Sequence, residues 1–270
     1  TIPAEFSSHY ARKSRLIEWV RRAVIKTLPV NFGFKKRCRR ANLILAKTEI
    51  TRSLIPAKHR EKAVLFTDVA VEKLQQAIVA QGREHDVVEY ITVGRLDAWR
   101  GFDLIIEAFA KAAKENSNIH LTIVGKGADK QRLQQLTRER GVGEKVAFAG
   151  KVEMDEYYRL LAASDVVINA SLKEGAVTVS FDSMAMGKPL ICLDTTGYTR
   201  YFSNEYAIVV PRTGREEVVA KLAAAMEQMT DANKRNTIGQ KARNVGAQFT
   251  WKARGEEYKE LLMKRFENNK

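Results

Sequence analysis

Two carboxylates and two arginines stand out for the chemistry they can do. Glu174 and Asp182 are separated by seven residues in the stretch 171–189, SLKEGAVTVSFDSMAMGKP. Glu174 precedes a turn at Gly175, and Asp182 falls inside a short, almost wholly apolar segment. That segment reads as a helix from near Thr178, stopped by Gly187 with Pro189 two residues beyond. A carboxylate in a buried helix is expensive unless something pairs with it. A ligand is one such partner, and a nearby cation such as Lys188 is the other. Arg95 and Arg100 lie in VGRLDAWRG (93–101), between an expected strand and an expected helix from Phe102. A cation beside a helix N-terminus opposes the dipole by about 0.3–1 kcal/mol. A bound diphosphate reverses that balance, because helix N-termini, oriented amides and Arg all favour anions. The plainer alternative is an exposed Arg100 paired with Asp97 or Asp103.

Two further loops bear on the same edge. The backbone amides of Gly175, Ala176, Val177 and Thr178 would point into one cleft, and the Thr178 hydroxyl can either cap the helix or touch a phosphate. Gly125-Lys126-Gly127 lacks a third glycine, since Lys130 stands there. It therefore reads as a tight strand-to-helix turn in preference to a dinucleotide site. Met184 and Met186 read as core.

Several chemistries are missing. His9, His59, His85 and His120 have no metal-ligand spacing. There is no Asp-x-Asp, no P-loop and no Gly-x-Ser-x-Gly elbow. Phosphate bound here would have to be neutralised by Arg and backbone amides without a metal.

The elements that must carry these loops are regular from Val87 onward. Strands are expected at 88–93, 119–124, 145–149, 165–170, 189–193 and 207–210. Helices are expected near 102–115, 129–140, 154–163, 178–186 and 215–229, followed by two polar helices at 231–247 and 251–267. Most of the strands are unbroken Val/Ile/Leu runs, the pattern of a parallel sheet covered on both faces. The expected class is α/β, a doubly wound Rossmann-like sheet whose ligands bind beyond the strands' carboxyl ends. Before it, residues 9–28 read as an amphipathic helix, with Leu16, Ile17, Val20, Val24 and Leu28 on one side and Arg12, Lys13, Arg15, Arg21 and Arg22 around the rest. A basic helix follows over 32–41, then a strand at 43–46, a short helix at 48–54 and a strand at 64–66. Residues 69–80 suit either a helix or a connection between domains.

The 270 residues are enough for a substantial core. The net charge of +14 is concentrated: residues 1–60 hold fifteen Lys/Arg against three Glu, leaving +2 for the other 210. Such a basic face meets phosphate, anionic lipid or nucleic acid. Cys38 and Cys192 indicate neither a disulfide framework nor a metal cluster. No apolar run reaches a spanning length and no signal-peptide pattern opens the chain, so the expectation is a soluble, cytoplasmic protein. An opening Thr1 in place of Met reads as a piece of something longer.

Together these motifs resemble glycosyltransferase family 4, retaining enzymes of the two-Rossmann-domain GT-B architecture. VGRLDAWRGFDLIIEAFAKA, IHLTIVGKGADKQRLQQL, VAFAGKVEMDEYYRLLAASDVVINAS and EGAVTVSFDSMAMGKPLI follow in that family's order and spacing. The closing FTWKARGEEYKELL is similar to its last helix, which returns to the other domain, and RRANLILAKTEITRSLI resembles the end of its acceptor domain. The resemblance implies an acceptor-domain end at 1–70, lacking its front, a connection at 71–86, a donor-binding domain at 87–248 and a returning helix at 249–270.

By the same resemblance, Arg95 and Arg100 would hold a donor diphosphate beside Gly94, and Glu174 would touch the transferred sugar. The amides of Gly175, Ala176, Val177 and Thr178 would serve sugar hydroxyls and phosphates. Asp182 would accept from the ribose hydroxyls, and Lys151 and Val152 would lie beside the base. The family's Glu is Asp at position 182, one methylene shorter. The implied reaction is metal-free, cofactor-free transfer of a sugar from a nucleotide-diphosphate donor such as a UDP- or GDP-sugar to a glycan or lipid-linked acceptor hydroxyl. The implied setting is the synthesis of glycan, capsule, exopolysaccharide or lipopolysaccharide. Alternatives are a nucleotide-sugar-binding module without turnover and, lower in rank, a nucleic-acid binder. The basic stretch lacks interleaved aromatics and any specific nucleic-acid motif. Arg12, Arg21 and Arg22 could instead rest on an anionic membrane, where each cation contributes about 1 kcal/mol.

Overall fold

The computed structural model describes residues 2–8, 10, 12–71, 86–173, 177–195 and 201–266, with Arg12 and Lys13 as backbone. The chain opens with a short helix α1 (Ala4–Ser7), a long helix α2 (Arg12–Thr27) and α3 (Phe32–Arg40). Strand β1 (Ile44–Ala46), helix α4 (Glu49–Ser53) and strand β2 (Ala63–Leu65) follow. β1 and β2 pair in parallel as a two-stranded sheet around Cys38, Ile55 and Ala63.

The larger sheet alternates strand and helix: β3 (Val88–Val93), α5 (Phe102–Glu115), β4 (Ile119–Val124), α6 (Lys130–Glu139), β5 (Val146–Gly150) and α7 (Met154–Ala163). It continues through β6 (Val166–Asn169), α8 (Thr178–Ala185), β7 (Leu190–Leu193), β8 (Ile208–Val210) and α9 (Arg215–Gln228). Helices α10 (Ala232–Gly246) and α11 (Trp251–Phe266) close the described chain. All pairings are parallel, in the order β5-β4-β3-β6-β7-β8. This is the doubly wound Rossmann order, with the sequence direction reversing between β3 and β6.

Alternate residues explain the unbroken apolar strands. Tyr90, Val166 and Ile168 enter one core cluster with α5 and α9, while Ile91 and Val167 enter a second with α7 and α8. The central strands β3 and β6 thus bury residues on both faces, the condition for a parallel sheet. The one buried phenol of β3 is satisfied: Tyr90 donates to the Met226 carbonyl at 2.7 Å. The amino-terminal residues Ile2, Phe6 and Tyr10 also lie in the first cluster. At the other end, Tyr258 of α11 packs on Phe66 with ring centroids 5.8 Å apart, and Arg265 donates to the Asn42 carbonyl at 2.8 Å.

Helix α2 has the expected apolar stripe, but the stripe faces away from the protein. Leu16, Trp19 and Val24 are 61, 67 and 53% exposed, whereas Glu18 is 4% exposed. The Lys173 ammonium sets this orientation by reaching Glu18 Oε2 at 2.6 Å, with Arg21 at 3.1 Å. Burial opposes ionisation of Glu18, and the hydrogen bond and charge of Lys173 outweigh it, holding the carboxyl below its usual range. Of the connection expected at 71–86, residues 72–85 lie outside the described chain. Val71 bridges in parallel to Thr250 and donates to the Phe249 carbonyl at 2.7 Å.

Candidate functional site

The loops beyond β3, β4 and β5 and the start of α8 surround one cavity of about 530 Å³. It lies at the carboxyl ends of the strands beside the β3/β6 reversal, where doubly wound sheets bind ligands. Gly94, Arg95 and Arg100 line it from the β3 side, Gly125 and Lys126 from β4, and Lys151 and Val152 from β5. Val177, Thr178 and Asp182 line it from α8, and Met154 and Tyr157 from α7. The structure thus brings Gly94, Arg95, Arg100, Lys151, Val152, Val177, Thr178 and Asp182 to one place. The candidates Glu174, Gly175 and Ala176 lie outside the described residues.

Glycines shape the wall. Gly101 takes φ +70°, and a Cβ there would come 2.1 Å from the Ala170 carbonyl oxygen. Only glycine fits between the end of β6 and the start of α5, so the Arg100 loop is pinned to the sheet. The Trp99 carbonyl accepts from the Leu172 amide at 2.9 Å, tying this loop to the one after β6. Gly127 is equally tight, its missing Cβ 2.4 Å from the Leu96 carbonyl oxygen. The Gly-Lys-Gly segment is therefore a close backbone crossing, as the turn reading expected.

Arg100 does not take the plain alternative of pairing with Asp97 or Asp103. Asp97 Oδ2 pairs with Arg95 at 3.0 Å, and Asp103 turns inward to Arg215 at 3.2 Å. Arg100 lies over the Trp99 ring at 4.5 Å, a cation–π contact that holds the guanidinium at the cavity edge. Arg95 is 71% exposed at the rim. With Lys126 and Lys151, the described lining residues carry four cations against the carboxylate of Asp182. The amino ends of α5 and α8 add their dipoles at the same edge. Val177 is the N-cap of α8 and makes no side-chain cap, so of the two roles open to Thr178 capping is not the one it takes; Thr178 is exposed and lines the cavity.

Asp182 is wholly buried as a residue, and Tyr157 donates to its Oδ2 at 2.6 Å. Burial pushes the Asp182 carboxyl up to about 6 against the pull of that hydrogen bond. Burial, with the facing carboxylate, likewise pushes the Tyr157 phenol up, so it stays a donor. The suggested alternative partner, Lys188, donates to the carbonyls of Ala162 at 2.7 Å and Ser164 at 2.5 Å. Tyr157 was not foreseen, since nothing local in the sequence links it to a carboxylate 25 residues on another helix. Among the described residues no group of three or more His, Cys, Asp or Glu is placed to hold a metal ion, and no helix is long and apolar enough to cross a membrane.

Residues 75–245 match the family model described as glycosyl transferases group 1. The chain belongs to this family. Among curated relatives, the uncharacterized glycosyltransferase MJ1069 of Methanocaldococcus jannaschii is 24% identical over 83% of the chain and 59% of its own length. The lipopolysaccharide core biosynthesis glycosyltransferase LpsD of Rhizobium meliloti is 30% identical over 54% of the chain and 40% of its own length. The chain thus spans less than two thirds of these relatives. Among solved structures, the pneumococcal O-GlcNAc transferase GtfA with UDP and GlcNAc superposes with a TM-score of 0.73 at 17% identity, covering 87% of this chain and 47% of that one. Anabaena Alr3699/HepE with UDP and glucose gives 0.72 at 18% identity, covering 89% and 67%. These neighbours share the GT-B fold.

Proposed function

We propose that this chain is the donor-binding part of a family 4 retaining glycosyltransferase. It would move a sugar from a nucleotide-diphosphate donor to a hydroxyl of a glycan or lipid-linked acceptor, in glycan, capsule, exopolysaccharide or lipopolysaccharide synthesis, at the cytoplasmic side. The observation that carries this reading is the cation-lined cavity at the β3/β6 reversal, with a carboxylate at its inner wall. The solved relatives GtfA and HepE are described in complex with UDP, which supports the same ligand class here.

In this reading Arg95, Arg100 and the amino end of α8 bind the diphosphate and stabilise the charge that develops as it leaves. Glu174 orients the sugar. The acceptor oxygen bonds to the anomeric carbon as the bond to the diphosphate oxygen breaks, and the acceptor proton passes to that leaving oxygen. The protein contributes position and electrostatics without a metal or other cofactor. Calorimetric binding of UDP and GDP tests the donor site. Sugar transfer by the full-length protein that survives Glu174→Ala unchanged would remove the role given to Glu174. A chain that binds donor with no turnover in any context would return the binding-module reading.

The outward face of α2 supports a second element of the reading, contact with anionic lipid. Leu16, Trp19, Val20 and Val24 are exposed between Arg15, Arg21 and Lys26, and residues 1–60 carry a net +12. Co-sedimentation with anionic but not zwitterionic vesicles, weakened by Trp19→Ser, is the expected result. Equal recovery with both would dismiss it.

A further inference from the structure

Tyr157 and Asp182 meet across two helices, α7 and α8, at the wall of the cavity both residues line. Tyr157 is itself held, with the Tyr158 ring 4.9 Å away and tilted against it and with its own surface 9% exposed. A carboxylate offers about four lone-pair sites, and the Tyr157 hydroxyl takes one of them. The phenolic oxygen keeps its own lone pairs while it donates. Asp is a methylene shorter than Glu, so a bare Asp182 reaches less far into the cavity than the longer acid would.

We propose that Tyr157 is a positioning residue for the donor's nucleoside: its hydroxyl fixes the Asp182 carboxylate and, by accepting from a ribose hydroxyl, extends the polar wall that the short aspartate leaves withdrawn. This rests on the donor-site reading above. The pair then acts as one acceptor for the vicinal ribose hydroxyls, and it works only while Asp182 is ionised.

Among the described residues, the following groups face Asp182 or share its cavity. Tyr157, with Tyr158 behind it, comes from α7. The cations sharing the cavity are Arg95 and Arg100 before α5, Lys126 after β4 and Lys151 after β5. Arg243 of α10 lies at the far end of α8, beside Gly187. The Tyr157 hydrogen bond favours the charged carboxylate and so pulls against the burial that raises it. Removing the hydroxyl moves the protonation midpoint upward.

The test measures UDP and GDP binding, takes whichever binds tighter, and compares it with its 2′- and 3′-deoxy analogues from about pH 5 to about pH 9. The ratio of ribo to deoxy affinity is the readout, since phosphate ionisation is common to both and cancels. In the wild type the ratio should be high at alkaline pH and fall about tenfold per pH unit once Asp182 protonates, until discrimination is gone. Tyr157→Phe, which keeps the ring, should weaken the ribonucleotide more than the deoxy analogues at alkaline pH and so lose part of the discrimination there, and the fall should begin at higher pH. Asp182→Asn should show little discrimination at any pH. A Tyr157→Phe profile with the wild-type midpoint, or one lowered equally at every pH, overturns the role of Tyr157 and leaves the donor site standing. Absence of UDP and GDP binding in the wild type across the range overturns the donor site, and this inference with it.

Discussion

A Cβ on Gly125 would lie 1.8 Å from the carbonyl oxygen of Gly94. Gly125 also has φ +142°, a conformation L side chains rarely adopt, and its amide donates to the Gly150 carbonyl at 2.7 Å. One residue thus joins the loops after β3, β4 and β5 at the cavity floor. Gly125→Ala should cost about 1–3 kcal/mol from the backbone alone, with more from the clash. A thermal melt should show a fall of several degrees, at about 2–4 °C per kcal/mol for a chain of this size. An unchanged melting temperature would mean the crossing is looser than described.

The two arginines should be separable. Arg100 is held against Trp99, whereas Arg95 is largely exposed and shares its charge with Asp97. A charge-assisted hydrogen bond contributes about 1.5–3 kcal/mol, so Arg100→Ala should weaken UDP or GDP binding about ten- to a hundredfold. Arg95→Ala should weaken it less. Neither should alter binding of the phosphate-free nucleoside. A loss of nucleoside affinity equal to the loss of diphosphate affinity would place the arginines on the wrong end of the ligand.

The sheet was legible because its strands are buried on both sides. β3 and β4 occupy the expected 88–93 and 119–124, where Val, Ile and Leu dominate a short run bounded by turn residues. The loops that line the cavity followed from the alternation of strands and helices: Arg95, Arg100 and Thr178 were read from those loops and Asp182 from a carboxylate in an apolar helix, whereas Gly94, Lys151 and Val152 came from the family resemblance. What pairs with each side chain was not legible. Asp97 takes Arg95 within one loop, whereas Asp103 takes Arg215 and Asp182 takes Tyr157, two choices set by how separate helices pack. The orientation of α2 shows the same limit. Its periodicity predicted the helix, but the contact between Glu18 and Lys173, 155 residues apart, decides which face turns inward.

That contact gives a stability prediction. Lys173 immediately precedes Glu174, so the ion pair tethers α2 to the segment leading into the proposed sugar site. Glu18→Ala leaves a half-buried ammonium without this carboxylate and should destabilise by about 1–3 kcal/mol, less than a fully buried pair because Lys173 retains some water. Because the Glu18 carboxyl is held low, its contribution is present at neutral pH and is lost as pH falls through its folded value. Urea titrations of wild type and Glu18→Ala should therefore converge on acidification. A gap that stays constant with pH would assign the loss to packing of the side chain instead of its charge.

Asp182 poses the opposite case, a charge that the fold resists. Its carboxyl is raised from 3.8 to about 6, so the folded state favours the proton more than the unfolded chain does. The stability tied to that proton is fully present below the unfolded value and is lost as pH rises through about 6. By neutral pH the ionised carboxylate costs the fold at most about 3 kcal/mol, at about 1.4 kcal/mol per unit. Asp182→Asn removes the charge and keeps an oxygen to accept from Tyr157, although its amide group must find its own acceptor. The variant should gain stability relative to wild type as pH rises from about 4 to about 8, while its binding of a ribonucleotide falls. Denaturant midpoints across that range check the first half and calorimetry the second. Parallel stability curves for the two proteins would show that the fold does not resist the charge. A stabilised variant that still binds the ribonucleotide like wild type would show that the buried carboxylate is tolerated for some purpose other than the ligand.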